Sequence, residues 1–196
     1  MAVRTQRERS EATTAELLDV ARRLFAADGY AATSLEDVVR GAGVTKGALY
    51  HHFGGKRDLF LAVYEREQQK LAQTQFAAFA RKKGAWDGFL AASQAFFEAS
   101  LDPGVQRITL LDAPSVLGWE TMREVEGRYA LVQLHQGLEA LIHDGHLRPR
   151  PVEPLANLLF GAMCEAAMMV ARAEDQRTAT KQVLAELRTM LEALRA

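Results

Sequence analysis

The sequence predicts an all-α protein, and three observations carry that prediction. Apolar residues recur at i, i+3, i+4 and i+7, no run of alternating β-branched residues occurs, and helix start and stop signals fall between the periodic segments. Leu17, Val20, Ala21, Leu24 and Phe25 line one face of a first helix, which Gly29 ends. Thr33 and Glu36 then have the spacing of a capping box, a hydroxyl and a carboxylate that satisfy free amides at a helix start. Leu35, Val38, Val39 and Ala42 repeat the pattern in a short second helix that stops near Gly41 to Gly43. A third begins about three residues later with Thr45 as N-cap, and Val44 and Leu49 occupy the positions of a hydrophobic staple. Gly54 and Gly55 end it.

A long amphipathic helix follows from about Lys56 to Lys83 and closes on Arg81, Lys82, Lys83 and Gly84. Further helices are predicted at Ala85 to Leu101, Val105 to Asp112, Gly118 to Asp144, Glu153 to Ala173 and Thr178 to Leu194. Pro103, Pro114, Gly145 and the Pro149 to Pro154 segment separate them. No repeat, low-complexity tract or flexible linker interrupts the chain. The expected organisation is a three-helix module over residues 1–55 joined rigidly to a larger helical body over 56–196.

Composition narrows the class. With 48% hydrophobic and 25% charged residues among 196, the chain can build a sizeable core and is not disordered. Arg4, Arg7 and Arg9 are followed by no apolar stretch, so no secretory signal is expected, and the protein is read as cytoplasmic. The most hydrophobic segment, Leu155 to Ala171, contains Asn157 and Glu165 and reads as a core helix, with no membrane partner. The single cysteine, Cys164, excludes an internal disulfide and any multi-thiolate metal site.

Catalytic and cofactor readings find little support. Gly55-Lys56 is no phosphate-binding loop, because Tyr50 stands where the first glycine belongs and Arg57 where Ser or Thr is needed. His143 and His146 straddle the helix end at Gly145, which disfavours a metal site. His135, Glu139 and Asp112 form no recognisable nucleophile arrangement with a serine. The expectation is a protein that is not an enzyme and holds neither metal nor cofactor.

The segment Val44 to Arg57 is different: it carries three cations and two histidines and no carboxylate, although the chain's net charge is −1. Two short helices joined by a glycine-containing turn make a helix-turn-helix. With Leu49 and Phe53 turned inward, the helical step leaves Gly47, Ala48 and His51 facing out, with Lys46 and Tyr50 flanking them. Glycine and alanine permit close approach in a major groove about 12 Å wide, and Ala48 can touch a thymine methyl. Lys46, Tyr50, His51 and Lys56 have the reach and the donors for phosphate, as have the threonine hydroxyls and free amides after Thr33 and Thr45.

The stretch from Leu24-Phe25-Ala26-Ala27-Asp28-Gly29-Tyr30 through Thr33-Ser34-Leu35-Glu36-Asp37-Val38, then Gly41-Ala42-Gly43-Val44-Thr45-Lys46-Gly47-Ala48-Leu49-Tyr50-His51-His52-Phe53 and Lys56, resembles the DNA-binding domain of the TetR family. The likeness spans about Ala15 to Tyr64 without a gap. It implies a nine-helix TetR-like architecture, a three-helix helix-turn-helix domain plus a ligand-binding and dimerisation domain. The protein would be a homodimer bound to double-stranded operator DNA, and a repressor released by a small-molecule effector. By that resemblance phosphate contacts fall on Thr33, Thr45, Lys46, Tyr50, His51 and Lys56, and base contacts fall near Gly47 and Ala48. Family members commonly carry Ser or Thr where this chain has Ala48, so a hydrogen-bonding hydroxyl is missing.

The remaining two thirds resembles only the family's general architecture. A largely apolar pocket is expected from Phe96, Trp119, Met122, Tyr129 and Met163, with Asn157 and Glu165 as orienting polar groups. A dimer is expected from apolar stripes on the last two helices: Leu155, Leu159, Ala162 and Ala166 on one, Val183, Leu184, Leu187, Met190 and Leu191 on the other. The alternative is a helical ligand-binding or carrier dimer that does not bind DNA.

Overall fold

The computed structural model describes residues 5–195, and the regular elements among them are ten helices. They are α1 (Gln6–Ala32), α2 (Leu35–Ala42), α3 (Lys46–His52), α4 (Lys56–Ala80), α5 (Ala85–Ala99), α6, α7 (Trp119–Arg128), α8 (Ala130–His143), α9 (Val152–Ala171) and α10 (Gln176–Glu192). Three segments that follow one another without a break make up α6: Pro103–Val105, a π-helical stretch Gln106–Asp112, and Ala113–Leu117. Pro114 has no N–H to return to the Leu110 carbonyl, and the widened turns of the π stretch end at that point. The all-α expectation holds. Ten helices stand in place of nine because the segment expected from Gly118 to Asp144 breaks at Tyr129, whose φ of −122° and ψ of −71° are not helical.

The start of α1 is fixed by a capping box at Thr5 and Glu8, whose two reciprocal hydrogen bonds measure 3.2 and 2.7 Å. Its buried stripe is Leu17, Val20, Ala21 and Phe25, as the periodicity predicts. Gly29, at φ 79°, bends the helix; a Cβ there would occupy the place of the Arg107 guanidinium, so the bend is also where α6 comes closest. The capping box expected at Thr33 and Glu36 does not form. Thr33 instead closes α1, donating its hydroxyl to the Gly29 carbonyl at 2.8 Å, and Ser34 caps α2 by accepting from the Asp37 amide at 3.1 Å. Two adjacent hydroxyl residues offered two registers, and burial of Thr33 decided between them.

The chain then turns through Gly43, left-handed at φ 64°, and α3 starts on Thr45, whose side chain accepts from the Ala48 amide at 3.1 Å. Leu49 is fully buried and Phe53 nearly so, which docks α3 on α1 and α4.

Two clusters of buried side chains organise the molecule. The first joins Phe25, Val38, Leu49, Phe60, Val63 and Tyr64 to residues well beyond position 55: Ile108, Ala113 and Leu117 of α6 and Val125 of α7. Phe25, Tyr30 and Phe60 pack with ring centroids 5.1 to 5.9 Å apart. The second cluster holds Trp86, Phe89 and Phe97 of α5, Leu138 and Leu141 of α8, Leu159 and Met163 of α9, and Leu187 and Leu191 of α10. Both clusters lean on α4, whose 25 residues span about 37 Å at 1.5 Å per residue. An isolated bridge between Leu147 and Arg195 ties the α8–α9 turn to the end of α10.

Candidate nucleic-acid interface and ligand cavity

The exposed face of α3 carries Lys46, Gly47, Tyr50 and His51, with Ala48 half-buried beside them. A Cβ at Gly47 would meet only the Thr45 hydroxyl, at 3.9 Å, so the surface there is open. No carboxylate lies in the first turn of α3, whereas the first turn of α2 carries Glu36 and Asp37. The positive end of α2 is therefore already answered by the chain's own acids, and of these two helices α3 is the one whose first turn holds none. His52 turns inward, its Nδ1 3.2 Å from the Thr14 hydroxyl, and ties α3 to α1.

The structure places the other residues singled out for phosphate unequally. Thr45 is exposed at the head of α3. Lys46 pairs with Glu36 at 2.6 Å, a bond that raises the lysine pKa and lowers that of the carboxylate, so phosphate must compete with Glu36 for this cation. Lys56 folds back onto the α1–α2 turn, donating to the Ala31 carbonyl at 3.2 Å and lying 4.3 Å from the Tyr30 ring centroid. Thr33 is a correction: at 3% exposure, with its hydroxyl committed to Gly29, it presents nothing to DNA.

A cavity of about 190 Å³ opens in the body between α4, α5, α8 and α9. Its wall is aromatic and thioether, from Phe76, Phe79, Phe89, Phe96, Phe160 and Met163, with Gln75, Ser93, Gln133 and Gln136 as its polar groups. Phe96 and Met163 were anticipated at a pocket; Trp119, Met122, Tyr129, Asn157 and Glu165 lie outside this one. Gly118, at φ 78°, redirects the chain so that α7 packs Met122 and Val125 against the first cluster, which leaves Trp119 74% exposed under the Arg123 guanidinium. The Tyr129 hydroxyl donates to Glu65, and Asn157 accepts from Arg123. Glu165 points outward on the opposite face of α9. The contribution of α4 was not foreseen, although Phe76 and Phe79, one turn apart near its end, were a readable signal.

The expected dimer stripe also resolves into two faces. Leu159, Leu187 and Leu191 are buried within the protomer, and Leu155, Ala166, Val183 and Leu184 are half-buried against the same core. Ala162 and Met190 are on the open side. Leu159, Leu187 and Leu191 pack into the core that α5 and α8 share with these helices, and the outward face of α9 is Leu158, Gly161, Ala162, Glu165 and Met169. By length and composition α9 could cross a membrane, with 28% of its apolar window buried.

Comparison with known proteins gives this geometry its context. The description "Tetracyclin repressor-like, C-terminal domain" matches residues 86–194, and "Bacterial regulatory proteins, tetR family" matches residues 17–63. The chain belongs to the TetR family. A TetR-family transcriptional regulator from Pectobacterium atrosepticum is 35% identical, with 98% of each chain covered and a TM-score of 0.82. The Transposon Tn10 TetC protein of Escherichia coli is 25% identical over 190 residues, 97% of this chain and 96% of that one. The transcriptional regulator AcrR of Shigella flexneri is 39% identical over 84 residues, which is 43% of this chain and 39% of AcrR. RolR, solved in complex with resorcinol, has the same fold at a TM-score of 0.70 and 18% identity over 95% of this chain and 96% of its own. The protein is accordingly a helix-turn-helix DNA-binding transcriptional regulator, and the alternative of a carrier that never touches DNA is set aside.

A group of polar side chains is buried where α4 meets α7. Glu126 accepts from Arg123 at 3.3 Å and from the Tyr64 hydroxyl at 3.4 Å. Burial raises its pKa above the usual 4.5, and the bonds from Arg123 and Tyr64 pull it back only partly. Burial likewise pushes the Cys164 thiol up to about 12, which leaves it unreactive at neutral pH. A carboxyl whose folded pKa is raised binds its proton more tightly in the native state, so its stabilising effect is full below about 4.5 and is lost as pH rises through the raised value. Glu126→Gln should therefore gain stability over wild type between pH 4.5 and 7. Urea titrations at both ends of that window check it, and an equal difference at both would refute it.

Proposed function

We propose that this TetR-family member is a cytoplasmic homodimeric repressor that grips an operator through α3 and lets go when a small, largely apolar molecule enters the body. The observation that carries this reading is α4. Its first residue, Lys56, follows α3 by four positions, and its far end supplies Gln75, Phe76 and Phe79 to the cavity wall. A ligand seated there bears directly on the helix that aims the DNA-reading module. It shifts the equilibrium by binding the DNA-incompetent dimer more tightly, and a tenfold preference corresponds to about 1.4 kcal/mol. Residues 1–55 act as the reading module and 56–196 as the body, with α6 reaching both buried clusters and α7 the first. Thr45, Lys46, Tyr50, His51 and Lys56 position the protein on phosphate, and Gly47 and Ala48 approach the bases.

Titration of random-sequence duplex DNA at several salt concentrations tests the DNA half of this reading. Binding should weaken steeply with salt, and Lys46→Ala should lower the log–log slope by about 0.9 for the one lost contact. Because Lys46 shields Glu36, its removal also turns an unpaired carboxylate toward the phosphates. Glu36→Gln in the same chain should recover part of the lost affinity. An unchanged salt slope in Lys46→Ala would remove this residue from the interface.

A further inference from the structure

The chemistry of the cavity wall selects a kind of ligand. The wall contains no Asp, Glu, Lys, Arg or His, so an ion entering it would shed its hydration and find no opposite charge. The volume of about 190 Å³ compares with apolar cavities of about 150 Å³ that take up benzene, so one ring or two fused rings fit. Five phenylalanines and Met163 offer faces, edges and a sulfur to an aromatic guest. Gly137 keeps one wall flat: a Cβ there would come within 3.0 Å of the Phe89 ring, which lies directly against α8.

Every polar group of the wall can accept a hydrogen bond, and Ser93 can do nothing else. The Gln75 amide gives one of its two N–H groups to the Leu71 carbonyl at 3.3 Å, and its oxygen remains an acceptor. The Ser93 hydroxyl spends its proton on the Phe89 carbonyl at 2.9 Å and keeps only lone pairs. Gln133 and Gln136, one turn apart on α8, supply amide oxygens as well as N–H groups. We infer that the effector is a neutral molecule of one or two fused aromatic rings that carries at least one O–H or N–H donor. This assignment rests on the ligand-controlled reading above and specifies what that ligand is.

Calorimetric titration of the intact protein at neutral pH with 2-naphthol, naphthalene and 2-naphthoate tests it, alongside DNA-binding anisotropy with the same three compounds. The neutral donor 2-naphthol should bind about tenfold more tightly than naphthalene, a difference of about 1.4 kcal/mol. It should bind about a hundredfold more tightly than 2-naphthoate, whose charge has no partner in the wall. Gln133→Leu, a half-buried position at the cavity, should bring 2-naphthol and naphthalene to within about threefold of each other. Binding of 2-naphthoate as tight as that of 2-naphthol, equal binding of naphthalene and 2-naphthol, or no binding of any of the three overturns the assignment. Binding of 2-naphthol in the expected order without release of DNA upholds the assignment and overturns the regulatory reading instead.

Discussion

Leu158→Glu is expected to turn a dimer into a monomer of 21.7 kDa, half the mass light scattering should report for the unaltered protein, without unfolding it. Leu158 is 73% exposed in the single chain, Ala162 and Met169 extend the same uncovered face of α9, and Met190 on α10 is exposed as well. Small residues Gly161 and Ala162 at its centre allow a second helix to come close, and a two-fold axis would set each copy of this face against itself. Covering one leucine contributes roughly 1.5 to 3 kcal/mol, and the symmetry doubles it. The substitution removes that and buries two like charges near the axis, so the expected loss exceeds the gain from any surface pair. Because Leu158 makes little contact within its own protomer, the melting of the isolated chain should change little. A dimer that reads two half-sites gains an effective concentration worth about 10²- to 10⁴-fold in affinity. The monomer should lose that factor on a duplex recovered by selection from random sequence, and keep its weak, salt-sensitive grip on random DNA. Retention of the dimer in Leu158→Glu would place the interface elsewhere.

How far the sequence could be read depends on which face of a helix a residue's neighbours claim. Periodicity found α1 to α4 and their core because the large apolar residues there from Leu17 to Tyr64, the exposed Tyr50 apart, are buried or half-buried in one cluster. The N-cap of α2 was one residue off because Thr33 and Ser34 both qualify chemically, and what separates them is a tertiary fact, the burial of Thr33 under the bend at Gly29. The body was less legible for a related reason. An apolar stripe on α9 or α10 looks the same whether it meets its own α5 or another chain, so Leu159, Leu187 and Leu191 were assigned to a partner that they do not face. Trp119 shows the converse, since a large aromatic in an amphipathic segment reads as buried until Gly118 turns it out. The hydrogen bonds that tie α1 and α4 to α6 had no sequence signature, because Tyr30 and Asp112, or Arg57 and Val116, are 82 and 59 positions apart.

Those long-range bonds lead to the second large effect, expected for Arg57→Ala. Arg57, in the first turn of α4, donates to the carbonyls of Val116 at 3.2 Å and Leu117 at 3.0 Å and to the Thr121 hydroxyl at 3.4 Å. These are the carbonyls a helix end leaves without amide partners, so a guanidinium there satisfies both the bonds and the negative end of α6. At the other side of α6, Asp112 accepts from the Tyr30 amide at 2.7 Å and from Arg107 at 3.3 Å, and so holds the bend of α1. The same helix reaches the second cluster through Leu110. Removing Arg57 leaves the α6 carbonyls to water at a net cost of about 1 kcal/mol and loosens the hold of the body on α4 and α1. Amides of α1 to α3 should then exchange with solvent at a lower free energy than those of α5 and α8, whereas in wild type the two sets are expected to share one value. If α6 transmits the effector signal, the ratio of DNA affinities with and without ligand should fall toward one, from the 5- to 150-fold that couplings of about 1 to 3 kcal/mol produce. The guanidinium points into α6 and away from the exposed face of α3, so unliganded DNA binding should stay within about threefold of wild type. A folded Arg57→Ala protein that keeps both uniform exchange and full ligand response would show that the two clusters communicate through α4 alone.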